Sequence, residues 1–446
     1  MSGVFGCWHR AGRPLNLDTF HNSLERLSPP RARATVWHNG PIALGHKSNW
    51  NSGGPTTPQI SRDEVACVFD GRLDNRDELL RTLGNRSLHC DSHDCDFVRA
   101  AYRRYGEHFA AYIKGDFICA VFDAVSDQMV VARDRLGVRP VCFTSIDHTF
   151  LFASEAKALL AWPGVSAAPD DLMMADFLLQ FLSQDSQNRT FFRDIRSLPP
   201  AHVVVVTRHG VTLRRYFDFD TRRAVRFESV RGYVDAFHQL VTASVRNRLR
   251  HPYAVAVSVS GGLDSAYIFS IAARLAREGG AQCPSVIGFN YSGAPGTPSD
   301  EEDFVRALER ACGVTIERIA QRPGFMEFAA EEVRHSESPL GEALACQRHD
   351  LFRQAREANA GRLLTGHWGD QVLFSPAYLV DLARRFAWRQ AHDHLREYDR
   401  WLGAGQASVL RRRFYADLVR HYTPMALVPP VEEGARDSIE EVPPPA

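Results

Sequence analysis

The stretch that decides the fold of the second half is AVAVSVSGGLDS, residues 254–265. The apolar run 254–259 predicts a buried strand, and a helical pattern begins after the glycines. A glycine turn between a strand and a helix presents several backbone N–H groups to one anion. Asp264 would repel a phosphate unless a cation lies between them, so the implied ligand is a nucleotide di- or triphosphate with Mg²⁺. The alternative is a plain turn capped by serine. It is not a Walker A loop, because the lysine of that motif is absent.

Composition indicates an ordinary globular chain. It has 446 residues, 44% of them hydrophobic, with 53 Lys and Arg against 53 Asp and Glu. These values exclude a largely disordered chain and predict two or three domains. The zero net charge provides no general attraction to nucleic acid or to an anionic membrane, so neither is an expected partner.

Cysteine and lysine usage narrows the chemistry further. The nine cysteines include no C-x-x-C pair, which argues against a disulfide framework and a structural zinc site. No stretch is long and apolar enough for a membrane span, and the start lacks a signal-peptide pattern, so we expect a cytoplasmic protein. The only lysines are Lys47, Lys114 and Lys157, all in the first half.

The order of patterns along the chain predicts two different domains. Short apolar runs separated by turns and helical patterns indicate an α+β first half. The predicted strands include 65–73, 116–124, 128–137 and 148–154, with a hairpin turning at His209-Gly210. From residue 233, helices and strands alternate as in a doubly wound parallel sheet. The predicted boundaries are a first domain at 1–217, a linker at 218–232, a second domain at 233–426 and a disordered acidic, proline-rich tail at 427–446.

Several motifs together resemble one family. SGGLDS resembles the pyrophosphate loop of the asparagine synthetase superfamily, whose members cleave ATP to AMP and pyrophosphate. SDE at 299–301 and TGHWGD at 365–370 match later family segments. GDF at 115–117, ARDRLGVRP at 132–140, FASE at 152–155 and LPP at 198–200 resemble the family's class II glutamine amidotransferase domain. The resemblance implies an αββα domain of the N-terminal nucleophile hydrolase type, followed by an α/β ATP pyrophosphatase domain.

The resemblance also implies a nucleotide site. Val259 and Ile287 would flank the adenine, and Asp264 and Asp370 would bind Mg²⁺. The residues expected to hold ATP are Ser260, Gly261, Gly262, Asp264, Ser265, Thr365 and Gly366. An acidic residue after each of two neighbouring parallel strands suits a cation that bridges phosphates.

The amidotransferase half departs from the family at its catalytic positions. Glutamine hydrolysis in the family uses a cysteine exposed at the N-terminus, whereas this chain has Ser2. The family's N-G-E element reads Asp70-Gly71-Arg72, so a carboxylate that would repel an oxyanion replaces an amide donor. Asp94 matches the substrate-binding aspartate, and Cys7, inside a predicted strand, is no substitute nucleophile. We expect this remnant of the glutamine site to be inactive, with a working Ser2 amidase as the alternative.

The synthetase half departs at two points. His367 stands where ammonia-using members carry glutamate, and two interpretations stay open: a general base for an incoming amine, or a loop histidine that bonds a neighbour. The family also uses a lysine near its C-terminus to steady the acyl-adenylate. Either an arginine of the 384–413 cluster replaces that lysine, or the chain is incomplete.

The leading hypothesis is an AMP-forming, ATP-dependent amide ligase that works without glutamine hydrolysis and resembles lasso-peptide macrolactam and β-lactam synthetases. Its substrate would be a small-molecule or peptide carboxylate, and a homodimer or partner biosynthetic proteins are expected. The alternatives are a glutamine-hydrolysing asparagine synthetase and a non-catalytic scaffold.

Overall fold

The structure is a computed structural model. It describes residues 2–28, 32–48, 65–179, 188–220, 222–291, 293, 295–297, 300–320, 328–339, 345–367, 369, 377–397, 411–412, 414–416 and 418–419. Asp370, Trp368 and the predicted tail at 427–446 lie outside these residues.

Two antiparallel sheets form the centre of the first half. Their strands are β1 (Gly3–His9), β2 (Arg33–Asn39), β3 (Ile42–Ser48), β4 (Val65–Leu73), β5 (Gly115–Asp123), β6 (Gln128–Arg133), β7 (Cys142–Ile146), β8 (Thr149–Ala153), β9 (Arg196–Ser197), β10 (His202–Thr207) and β11 (Val211–Arg215). One sheet has the order β2-β3-β1-β8-β7-β9, and the other has the order β11-β10-β6-β5-β4.

Helices cover the outer faces of both sheets. They are α1 (Leu17–Glu25), α2 (Arg76–Leu83), α3 (Asp94–Tyr105), α4 (Ala156–Leu160) and α5 (Asp171–Leu178), with a 3₁₀ turn at Gly106–Ala111. Helix α1 packs Phe20 against Phe5 of the first sheet, and α3 packs Phe97 into the cluster below the second sheet. The layers therefore run αββα, which confirms the predicted class of the first domain.

Strand β5 shows why these segments read as nearly continuous apolar runs. Successive side chains of a strand point to opposite faces of the sheet. Ile118 and Ala120 enter the core between the two sheets, while Phe117 and Cys119 enter the core between sheet and helices. Since both faces are buried, polar residues are excluded from most of the strand.

The second half forms a four-stranded parallel sheet. Its elements are α6 (Val230–Arg248), β12 (Ala254–Val259), α7 (Leu263–Arg277), β13 (Val286–Asn290), α8 (Glu302–Cys312), β14 (Ile316–Arg318), α9 (Ala329–Ser336), α10 (Ala345–Glu357), β15 (Ala360–Leu364) and α11 (Ala377–Arg384). The strand order is β14-β13-β12-β15, with every neighbouring pair parallel. This arrangement confirms the predicted doubly wound sheet. Among the helices that the structure describes, none has the length and apolar character needed to cross a membrane.

The strand order reverses between β12 and β15. From β12 the chain moves outward to β13 and β14, then returns to place β15 on the other side of β12. In open α/β sheets such a switch point leaves a crevice at the carboxyl ends of the strands, where ligands bind. The sequences SGGLDS and TGHWGD follow β12 and β15, so the topology brings both motifs to this crevice.

Several predicted boundaries match the structure. The strands predicted at 116–124 and 148–154 are observed at Gly115–Asp123 and Thr149–Ala153, and two larger differences have local reasons. The strands predicted at 65–73 and 254–259 are confirmed residue for residue. The run predicted at 128–137 was too long, because the buried carboxylate of Asp134 accepts the N–H groups of Leu136, Val138 and Arg139 and turns the chain after β6. Helix α6 begins at Val230 rather than at 233, since the Ser229 hydroxyl caps it.

Contacts between the two halves are specific and polar. The Arg248 guanidinium of α6 lies 3.3 Å from both carboxylate oxygens of Asp116 in β5. The Glu337 carboxylate, which follows α9, accepts the N–H groups of Ala156 and Lys157 at 2.5 and 2.6 Å. These N–H groups belong to the first turn of α4, where a helix leaves its donors without intrahelical partners. The second half therefore supplies the cap of a helix in the first.

Candidate functional site

The loop between β12 and α7 is folded around the hydroxyl of Ser265. This hydroxyl accepts the N–H of Ser260 at 2.9 Å and lies 2.8 Å from the Ser260 hydroxyl. The Ser260 hydroxyl in turn accepts the N–H of Gly262 at 3.2 Å. These bonds hold the loop against the N-terminus of α7, whose first N–H groups have no intrahelical acceptor. The loop and the helix end together present donors to an anion.

The segment after β15 approaches this loop closely enough to require glycine. A Cβ atom on Gly366 would lie 2.6 Å from the backbone nitrogen of Ser265. A Cβ atom on Gly369 would lie 2.1 Å from a carboxylate oxygen of Asp264. Thr365 and Gly366 therefore lie beside the loop, where the resemblance to the asparagine synthetase superfamily places them.

The donors at this crevice fit a nucleotide phosphate with Mg²⁺. Asp264 projects its carboxylate beside Gly369, and the other predicted ligand, Asp370, is the next residue, outside the described part of the chain. Within the described ranges, no group of three His, Cys, Asp or Glu side chains could hold a metal alone. Mg²⁺ commonly binds through one or two carboxylates together with substrate phosphates, so a small protein ligand set is compatible with it.

The structure separates the two residues expected to flank adenine. Val259 is the last residue of β12 and pairs with Asn290, the last residue of β13. Ile287 pairs instead with Ala256, three residues before the strand end. Val259 therefore lies at the crevice and Ile287 lies deeper in the sheet, so their adenine contact stays a prediction.

His367 lies in an exposed turn between Thr365 and Gly369. Its position after β15 places it at the same end of the sheet as the loop. The turn is closed by the Gly369 N–H, which donates to the Gly366 carbonyl at 3.1 Å. This placement is compatible with either role predicted for the histidine.

In the first domain, Ser2 meets an ion cluster rather than a catalytic base. The Ser2 hydroxyl donates to Asp70, which is buried. Arg139 and His46 lie 3.5 and 3.6 Å from the Asp70 carboxylate. Burial raises the pKa of Asp70, but Arg139, His46 and the Ser2 hydroxyl outweigh it and leave that pKa well below its usual range. A carboxylate with a lowered pKa is a weak base, so Asp70 is poorly suited to remove the Ser2 hydroxyl proton.

The sequence comparison did not identify Arg139 and His46 as partners of Asp70. Arg139 stands inside the motif at 132–140 and His46 lies in β3, and only the folded sheet brings them to one carboxylate. Asp70 would still present negative charge to an oxyanion, although two neighbours offset part of it.

The other residues of the glutamine-site remnant have structural partners. Arg72 is buried and bonds Asp74 at 2.5 and 2.9 Å and Asp116 at 3.0 Å. Gly71 has φ of 141°, and a Cβ there would lie 2.1 Å from the Asp116 carbonyl oxygen, so only glycine fits. Asp94 forms a buried ion pair with Arg76 at 2.7 Å.

The ion pair between Asp94 and Arg76 stabilises the start of α3. Burial raises its pKa and outweighs the opposing effect of Arg76. Arg76 also donates to the carbonyls of Cys90 and Ser92 at 2.9 and 2.6 Å, so the pair closes the loop before α3. The Asp94 carboxylate thus helps Arg76 to stabilise the loop before α3.

Cys7 and the three lysines have structural surroundings in the first domain. Cys7 is fully buried in β1, and burial raises the pKa of its thiol. Lys47 is buried against Glu25 at 2.8 Å. The remaining two lysines pair with carboxylates of the same domain, Lys114 with Glu78 and Lys157 with Glu155.

An αββα domain with residue 2 at a buried polar cluster, joined to a parallel sheet with a pyrophosphate-type loop, defines a chain with one amidotransferase-like and one ATP-binding unit. The family model described as "Glutamine amidotransferase domain" matches residues 1–217, and the one described as "Asparagine synthase" matches residues 236–435. The chain belongs to the asparagine synthetase superfamily.

Curated relatives match this chain at low identity. "Asparagine synthetase [glutamine-hydrolyzing] 3" of Bacillus subtilis is 26% identical, over 84% of this chain and 63% of the relative. "Amidase chyE" of Penicillium rubens is 24% identical, over 75% of this chain and 53% of the relative. "Asparagine synthetase B [glutamine-hydrolyzing]" of Escherichia coli is 27% identical, over 51% of this chain and 35% of the relative. The chain thus spans less than two thirds of the length of these relatives.

The close approach at Gly366 predicts a specific loss of nucleotide binding. In Gly366→Ala the new methyl would meet the backbone of Ser265, and such overpacking costs about 1–3 kcal/mol. We expect ATP to bind about tenfold or more weakly, as measured by isothermal titration calorimetry. Gly280→Ala is the control, because its Cβ would meet mainly the flexible end of Leu275. Unchanged affinity in Gly366→Ala would contradict this geometry.

The Asp70 cluster predicts a pH dependence of stability. Because the folded-state pKa of Asp70 is lowered, Asp70 stabilises the fold above its unfolded-state pKa of about 3.9, and this contribution is lost as the pH falls below that value. Asp70→Asn should lower the free energy of unfolding by about 2–4 kcal/mol at pH 7. The difference from wild type in urea denaturation should shrink below about pH 4. Asp91→Asn, at an exposed position, serves as control; a difference independent of pH would count against the cluster.

Proposed function

We propose that the protein is an ATP-dependent carbon–nitrogen ligase that adenylates a carboxylate and transfers the acyl group to an amine without hydrolysing glutamine. The observation that carries this proposal is the loop at Ser260–Ser265, closed against Gly366 and Gly369 with its donors at the crevice of the sheet. Membership of the asparagine synthetase superfamily supports the reaction class.

The first half-reaction follows from the donors at the crevice. The substrate carboxylate attacks the α-phosphorus of ATP, the bond to the bridging oxygen breaks, and pyrophosphate leaves with the electron pair. The N–H groups of the loop and the start of α7 stabilise the negative charge that develops on the leaving group. Mg²⁺, when bound, would be held by Asp264 with Asp370 and would neutralise phosphate charge.

In the second half-reaction an amine attacks the acyl carbon, and AMP leaves. The attacking nitrogen must lose a proton to become a neutral amide. His367 is the candidate acceptor, because it follows β15 at the same crevice and a neutral imidazole accepts protons near pH 7.

The amine is proposed to come from the substrate itself or from a second substrate rather than from glutamine. The Ser2 hydroxyl donates a hydrogen bond to the weakly basic Asp70 carboxylate, and Arg72 and Asp94 are committed to ion pairs. Loss of an ammonia source favours a substrate that carries its own amine, as in intramolecular lactam formation on a peptide. Macrolactam formation of the lasso-peptide type is therefore the favoured reaction.

Two assays on the purified protein test the proposal. Carboxylate-dependent exchange of labelled pyrophosphate into ATP should appear with a peptide side-chain carboxylate or a small acid, and glutamate release from glutamine should stay at background. Ser2→Cys should not restore glutaminase activity, because Asp70 and Arg72 remain. Glutamate release that disappears in Ser2→Ala would instead establish a glutamine-hydrolysing synthetase. Absence of both exchange and ATP binding would establish a scaffold.

The role of His367 can be separated from adenylation. In His367→Gln, amide formation should slow by about 10²-fold or more, because a general base is lost, while pyrophosphate exchange persists. His335→Gln, an exposed histidine on α9, is the matched control. Equal loss of both half-reactions would indicate that His367 stabilises the conformation of the loop and does not act as a general base.

A further inference from the structure

The Glu301 carboxylate lies against Gly261 of the loop between β12 and α7. A Cβ atom placed on Gly261 would lie 3.4 Å from both the Cβ and the carboxyl carbon of Glu301, immediately before α8. Asn290, the last residue of β13, positions the Glu301 side chain. Its Nδ2 donates to the Val259 carbonyl at 2.9 Å and reaches a Glu301 carboxylate oxygen at 3.4 Å. Asn290 is fully buried, so the hydrogen bonds that join Val259, Asn290 and Glu301, here called the Glu301 bracket, are anchored in the sheet.

Glu301 has no cationic partner among the described residues, unlike Glu302, which follows it in the chain. Glu302 pairs with Arg306 at 2.7 Å and with Arg318 at 3.1 Å. Asp300 accepts the N–H groups of Gly296 and Glu302 and so closes a turn. In the described part of the chain, no lysine, arginine or histidine forms an ion pair with Glu301.

An uncompensated carboxylate beside a phosphate-binding loop changes which form of the nucleotide can bind. Free ATP carries more negative charge than ATP with a bound divalent cation, and repulsion between like charges a few ångströms apart is strong at a partly buried site. The loop donors attract both forms, whereas Glu301 repels the free nucleotide more.

On these contacts, and given the ATP binding of the proposed function, we propose that Glu301 makes the loop selective for the cation-bound nucleotide over the free nucleotide. Asn290 is the positioning residue that keeps the Glu301 carboxylate against Gly261. Glu301 is thus a specificity determinant of nucleotide binding, distinct from Asp264 and Asp370, the predicted ligands of the cation.

The test compares equilibrium binding of a non-hydrolysable ATP analogue in EDTA and in excess Mg²⁺, measured by calorimetry for wild type and Glu301→Gln. Removing the charge should tighten binding in EDTA by about fivefold to tenfold and leave binding in Mg²⁺ unchanged or weaker. The ratio of the dissociation constant in EDTA to the dissociation constant in Mg²⁺ should therefore fall by at least the same factor. Circular dichroism melting curves check that the variant is folded, as expected for a partly exposed side chain.

Glu302→Gln is the matched control, because it removes the same charge one residue away, where Arg306 and Arg318 already neutralise it. An equal shift in both variants would show a general charge effect and overturn the proposal. So would an unchanged ratio in Glu301→Gln when wild type binds the analogue. If wild type binds the analogue in neither buffer, the proposed function fails as well, so the two failures are distinguishable.

Discussion

The second domain depends on a contact that leaves no room for side chains. The segment after β15 reaches the first turn of α7 because residues 366 and 369 carry only hydrogen on the side facing Ser265 and Asp264. This contact joins the ends of β12 and β15 across the switch point of the sheet. The loop, Asp264 and His367 all lie beside this contact. A methyl group here would separate two motifs that lie about a hundred residues apart in the chain.

In the first domain, the packed cores are separate from the polar cluster at Ser2. Its two-sided cores use residues such as Ile118 and Phe117, which have no part in the Ser2 cluster. The fold of this domain therefore does not depend on whether the Ser2 cluster can hydrolyse glutamine. The polar contacts of Arg248 and Glu337 with this domain give it a continuing role, since they tie helix ends and sheet edges of both halves together.

The sequence predicted those features that depend on neighbours in the chain. The strand at 65–73 opens with five apolar residues and the strand at 254–259 is apolar except for Ser258, because most of their side chains are buried, and the glycine loop is local by nature. The partners of Asp70 could not be predicted in this way, because they come from β3 and from the turn after β6. The same holds for the Glu301 bracket, which needs the parallel register of β12 and β13. Burial and register decide such contacts, and neither is visible in spacing alone.

The ion pairs of the first domain also constrain how this chain could change over evolutionary time. Restoring an amide at position 70 would leave Arg139 without its buried partner, and restoring a glutamate at position 72 would add a third carboxylate beside Asp74 and Asp116. Each single step leaves buried charge uncompensated, which destabilises a fold strongly. Converting residues 70–72 to the N-G-E element would therefore need several substitutions at once, so these ion pairs oppose stepwise change at both positions.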